Sequence, residues 1–164
     1  MLVSSILSWE LPWNRKTVGA MLLLVFLPNV LSMVNLTIPG GLKIHTFQVA
    51  IFLAASLLGP LGGLLSGVIG SLFSALSLSN PYLMIGNGIL GFFAGWFLRS
   101  GIRPLFAVWI AFCLQLLWLI PADYYLVGLS QSFIQNLVLI LFLSNTIWAV
   151  VAARLSGPLK RWLA

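Results

Sequence analysis

The sequence predicts an all-α integral membrane protein: a six-transmembrane-helix bundle with both termini cytoplasmic. Three observations carry this. Of 164 residues, 61% are hydrophobic and 6% charged, with a mean hydropathy of +1.12. The apolar residues fall into six runs bounded by Pro, Gly and Asn. When those runs are threaded through a membrane, seven of the eight Lys and Arg residues fall on one side. A water-facing surface needs several times this charge, which excludes a soluble globular domain. So apolar a chain is not intrinsically disordered either. The net charge of +6 sits in short pairs at the edges of apolar runs, where membrane proteins keep it. It does not gather on one structured face, which excludes nucleic acid as a partner. The single cysteine, Cys113, permits no internal disulfide and no cysteine metal cluster.

A hydrocarbon core of about 30 Å takes about 20 helical residues to cross. Residues 1–16 read as an interfacial segment, with Trp9 and Trp13 suited to the headgroup level. They lack an early basic region followed by a long apolar core, so they do not read as a cleaved signal peptide. Residues 17–36 form the first span, with a kink expected at Pro28. Residues 38–43, Ile-Pro-Gly-Gly-Leu-Lys, are turn chemistry. Residues 45–58 are a short second span ended by Gly59-Pro60, with 14 residues covering about 21 Å. Residues 61–78 are the third, closed by Ser79-Asn80-Pro81. Residues 82–98 are the fourth, followed by a basic loop at 99–104. Residues 105–120 are the fifth, ending at Pro121, and 122–129 read as a loop. Residues 130–155 are the sixth, and 156–164 a basic cytoplasmic tail with Lys160 and Arg161. The whole chain, 1–164, is then one transmembrane domain whose bundle occupies 17–155. The tight connection at Gly59-Pro60 leaves a re-entrant pair open for the second and third runs.

Orientation follows from the cations. Arg15, Lys16, Arg99, Arg103, Arg154, Lys160 and Arg161 share the cytoplasmic side, and Lys43 lies opposite. The expected location is the plasma membrane. In lipid, close backbone approach matters more for helix association than apolar burial. Gly59, Gly63, Gly67, Ser71 and Ala75 recur every four residues along the third run, beside a second row of Gly62, Ser66, Gly70 and Ser74. Two uses stand open for these rows: packing inside the bundle, or docking of a partner protein.

The chain holds one His, two carboxylates and one Cys, with no metal-ligand spacing, nucleophile elbow or phosphate loop. No enzyme, metal site or cofactor is expected. A set of polar residues does recur toward the outer ends of the spans: Lys43, His45 and Gln48, then Asn80, Tyr82 and Asn87. Asp123, Tyr124 and Tyr125 follow, then Gln131, Gln135 and Asn136. Gln131 and Gln135 are four apart and share a helix face. Polar groups at membrane depth are costly unless they pair or line a cavity. Together with Trp, Tyr and Phe they suit an outward-open pocket for a small, partly aromatic solute. Plainer readings stand beside this one. Lys43 and His45 are also ordinary loop residues, Asp123 could pair with Lys43, and Gln135 and Asn136 could bond between helices.

The order of these features resembles the substrate-binding S components of energy-coupling factor (ECF) vitamin transporters over nearly the whole chain. The resemblance is carried by Arg15-Lys16 before the first span and by Ile38-Pro39-Gly40-Gly41 leading to a short second helix ending Leu57-Leu58-Gly59-Pro60. It continues in the runs starting at Gly62 and at Gly88-Ile89-Leu90-Gly91, and in Asn145. It implies a subunit that captures a vitamin or related micronutrient at the outer membrane face for uptake. Its partners would be the micronutrient, membrane lipid, a transmembrane coupling subunit and ATPase subunits. Gly59, Gly63, Gly67, Ser71 and Ala75 would form part of the coupling surface. The family's Ala-x-x-x-Ala docking pattern is not matched in the first span, where Ala20 is followed by Leu24 and Gly19 by Leu23. The competing expectation is a non-transporting six-span scaffold of cell-envelope assembly, which would not turn polar residues such as Asn87, Gln131 and Gln135 into a cavity.

Overall fold

The computed structural model describes residues 14–37 and 43–164, with the side chains of 35–37 and 43 outside that description. Helix α1 spans Arg15–Leu31 and is capped by Asn14, whose side chain accepts from the Thr17 N–H at 2.9 Å. Pro28 lies inside α1 and has no N–H for the carbonyl four residues back, that of Leu24. Ser66 supplies the missing donor: its Oγ donates to Leu24 O at 2.6 Å. The expected first span is shortened. After Leu31 come a turn and strand β1 (Asn35–Thr37), which pairs antiparallel with β2 (Lys43–His45), Asn35 facing His45. The Thr46 hydroxyl holds this corner, shared between Leu31 O at 2.6 Å and Val34 O at 2.8 Å.

Helix α2 (Gln48–Gly70) reverses at Gly59, whose φ of 74° and ψ of −161° suit a residue without Cβ. Past that point Gly62 lies against Leu58 and Ala54, and Gly63 against Ala55. A straight helix would hold positions eight apart about 12 Å from each other. The two arms of α2 therefore run antiparallel, and the short helix α3 (Leu72–Ser77) extends the second. Asn29 spans the break at Ser71, donating to Ile69 O at 2.9 Å and accepting from the Phe73 N–H at 2.8 Å.

Helix α4 covers Tyr82–Arg99 and α5 Pro104–Pro121. A π-helical turn, Ala122–Leu126, continues α5 where a loop is expected from the sequence. Helix α6 runs Gln131–Leu163, so the expected basic tail is the end of a helix, and Pro158 lies within it. Asn14 Nδ2 donates to Leu163 O at 3.4 Å, and Lys16 Nζ lies 5.5 Å from the centre of the Trp162 ring, tying the start of α1 to the end of α6.

The two small-residue rows serve two helices of the same chain. A Cβ on Gly63 or Gly91 would strike the other's carbonyl, and Gly67 meets the backbone at Asn87 and Gly88. Ser66 and Gly70 of the second row face α1, with Ser66 on Leu24 and Gly70 on the Pro28 ring. Gly59, Gly63, Gly67, Ser71 and Ala75 are all buried. Helix α4 packs on Gly59, Gly63, Gly67 and Ser71 of this row, because only residues this small let two backbones approach so closely. Ile51, Phe52, Leu90, Val108 and Ala111 form the centre of the core. Gln48–Ser77, Pro104–Leu126 and Gln131–Leu163 are long and apolar enough to cross a membrane, the first folded on itself at Gly59. Large apolar side chains such as Leu22, Leu23, Phe26 and Leu117 are exposed, the outward composition that lipid requires.

Candidate substrate-binding site

A cavity of about 410 Å³ lies where β2, α3, the start of α4, the end of α5, the π-helical turn and the start of α6 converge. Phe47, Leu78, Leu83, Leu119, Phe133, Leu137 and Leu141 supply apolar wall. His45, Ser74, Asn80, Asn87, Gln115, Asp123 and Asn136 supply polar groups. The volume and mostly apolar lining match a site for a small organic ligand.

Each polar group is positioned by local backbone. Asn80 precedes α4 and accepts from the Tyr82 N–H at 3.1 Å through Oδ1, which aims its Nδ2 at Asp123 Oδ1, 2.8 Å away. Asp123 reaches that position because the π-helical turn carries an extra residue into the helical path. Its own carbonyl accepts from the Leu129 N–H at 2.9 Å, which closes the following loop. Deeper in the wall, Gln115 Nε2 donates to Asn87 Oδ1 at 3.0 Å, and Asn87 Nδ2 donates to Ser71 Oγ at 2.7 Å. The Ser71 hydroxyl ends the chain on Gly67 O at 2.6 Å. His45 is held on the opposite side, its N–H donating to Ser144 Oγ at 3.3 Å and its carbonyl accepting from Trp148 Nε1 at 2.6 Å.

Two atoms on this wall have no protein partner: Gln115 Oε1 and Asp123 Oδ2, both buried. Both are acceptors. A buried acceptor left unpaired is costly, and both belong to residues that line the cavity. Among the described residues Asp123 is the one carboxylate side chain. No group of three or more metal-ligating side chains occurs among the described residues.

Of the residues singled out from the sequence, His45, Asn80, Asn87, Asp123 and Asn136 meet at the cavity. Gln48 is buried but off its wall, and Tyr82 contributes a backbone carbonyl that accepts from Trp118 Nε1 at 3.1 Å. Tyr124 and Tyr125 are exposed and stacked edge to face, because the π-helical turn points Asp123 inward and its neighbours out. Gln131 and Gln135 are exposed away from the cavity, while Asn136, a further 100° round α6, lines it. The Lys43 side chain lies outside the described residues. Gln115 and Ser74 are additions. Gln115 is the single amide in the apolar run 105–120, and that isolation in a membrane-depth helix is the signal for it. Ser74 belongs to the second small-residue row and reads from sequence as packing alone.

The family model for the ECF-type riboflavin transporter S component matches residues 13–160, a stretch that contains every cavity residue. No curated protein and no solved structure matches the chain. The family is one of transport subunits rather than catalysts, resident in the plasma membrane with several membrane passes. With the family match covering nearly its whole length, the chain belongs to the S components of energy-coupling factor transporters.

Proposed function

We propose that the chain captures a vitamin at the outer membrane face and holds it in the cavity between Asp123 and Gln115. A transmembrane coupling subunit and ATPase subunits would then drive uptake. The two unpartnered acceptors on residues of a mostly apolar wall are the observation that carries this reading. The first candidate substrate is riboflavin, the vitamin in the description of the matching family. Its fused ring suits a wall built from Phe47, Phe133 and leucines, and its imide N–H and side-chain hydroxyls are the donors that Asp123 Oδ2 and Gln115 Oε1 require.

In the same reading the α1 helix, both arms of α2, α4, α5 and α6 make six membrane passes. Arg15, Lys16, Arg99, Arg103, Arg154, Lys160 and Arg161 then face the cytoplasm with both termini, and the cavity faces out. A thermal-shift screen of the purified protein against riboflavin, other vitamins and their precursors tests the proposal. A ligand that binds only the folded form raises the melting temperature. Riboflavin is expected to give the largest rise; a panel in which no vitamin raises it counts against vitamin capture.

A further inference from the structure

A second concavity lies at the far end of the bundle, between the start of α5 and the later part of α6. It is lined by Arg103, Leu105, Phe106, Val150, Ala153 and Arg154, among others. From Phe106 to Leu119, which borders the vitamin cavity, α5 rises about 20 Å, so the two cavities are separate. The floor is apolar, with Phe106 and Val150 half exposed and Ala153 partly buried on the same lining. The rim carries two guanidinium groups, one from each helix, and neither has a hydrogen bond or ion pair with another described residue. Helix α5 also begins there with no side-chain cap.

We infer that this notch binds one anionic phospholipid, its phosphate between Arg103 and Arg154 and an acyl chain along Phe106, Val150 and Ala153. A zwitterionic lipid would bring its own cation against the two arginines. An anionic headgroup instead gains a planar, multi-donor contact of the kind guanidinium makes with phosphate. The apolar floor continues directly below the charged rim, as a headgroup with its chain attached requires and a free phosphate ion does not. Basic pockets between helices at the cytoplasmic face are the usual place for such headgroups.

Native mass spectrometry of the full chain, titrated with phosphatidylglycerol and phosphatidylcholine of identical acyl chains, tests this. Phosphatidylglycerol is expected to be retained about 30-fold in preference, near what two arginines add at a membrane surface. The preference should vanish in the Arg103→Gln/Arg154→Gln double variant and persist in Lys160→Gln/Arg161→Gln. Ala153→Phe, which fills the notch and keeps both cations, should also release the lipid. Equal retention of the two lipids overturns the inference. So does an equal loss in both double variants, which would mean diffuse attraction to a basic end. Retention unaffected by Ala153→Phe, or displacement by inorganic phosphate at matched concentration, likewise overturns it.

Discussion

Asn80 Nδ2 donates to Asp123 Oδ1 at 2.8 Å, joining the start of α4 to the π-helical turn after α5. The bond uses one carboxylate oxygen; the other is buried without a protein partner, on a residue that lines the cavity. One side chain thus ties two helices together and keeps a second, unpaired acceptor buried beside the cavity. The Gln115–Asn87–Ser71 chain repeats the arrangement one layer deeper, bonded through Gln115 Nε2 and open at Gln115 Oε1.

The deeper layer gives a first expectation. Gln115→Leu removes the open acceptor and leaves Asn87 Oδ1 without its donor. Vitamin affinity should fall about 10-fold, the scale of one buried hydrogen bond. Isothermal titration against the vitamin found by screening checks this, and unchanged affinity would place the ligand elsewhere.

Gln135 supplies the contrast. It lies exposed on α6, away from the cavity. Gln135→Ala should alter affinity by no more than about twofold, as for surface substitutions generally. A loss matching that of Gln115→Leu would mean that the binding face of α6 is turned relative to the one described.

Packing of α2 on α4 is expected to tolerate no added volume at its centre. In Gly91→Val the new side chain meets the backbone carbonyl of Gly63, which cannot rotate aside. The protein should lose about 3 kcal/mol or more, or fail to assemble. Denaturant unfolding in detergent reads the change, with Gly19→Val as control, since Gly19 has nothing within 4 Å of an added Cβ.

Ser66→Ala removes the donor that serves the carbonyl opposite Pro28. The cost expected is about 1–3 kcal/mol, that of an unpaired buried acceptor. A stability unchanged within error would show that another group reaches Leu24 O.

Much of the fold was legible because its interruptions are written in residues with strong backbone preferences. Gly59-Pro60 marks the hairpin between the arms of α2, Ser79-Asn80-Pro81 the end of α3, and Gly101 with Pro104 the turn into α5. The small-residue rows signalled close packing, but a spacing of four does not say which helix arrives; α4 does. Pro121 misled, because it reads as a helix end, whereas the helical path continues through a π-helical turn and buries Asp123. Of the deeper wall, Asn87 stood out in the sequence and Gln115 did not. His45, Asn80 and Asp123 stand near helix ends, where polarity is conspicuous, while Gln115 lies inside an apolar run and becomes visible as a wall residue once Asn87 is opposite. Gln131 and Gln135 share a face, but which face of α6 looks inward depends on tertiary packing.

The most direct measurement is equilibrium binding of riboflavin to the purified protein by quenching of flavin fluorescence, with wild type beside Asp123→Asn. Saturable quenching at one site per chain is expected. Asp123→Asn should keep its oxygen on the Asn80 amide yet bind about 10- to 100-fold more weakly, since the second carboxylate oxygen, an acceptor, becomes an amide N–H donor. Saturable binding that is equally tight in Asp123→Asn, or no quenching of riboflavin by the wild-type protein, would contradict that expectation.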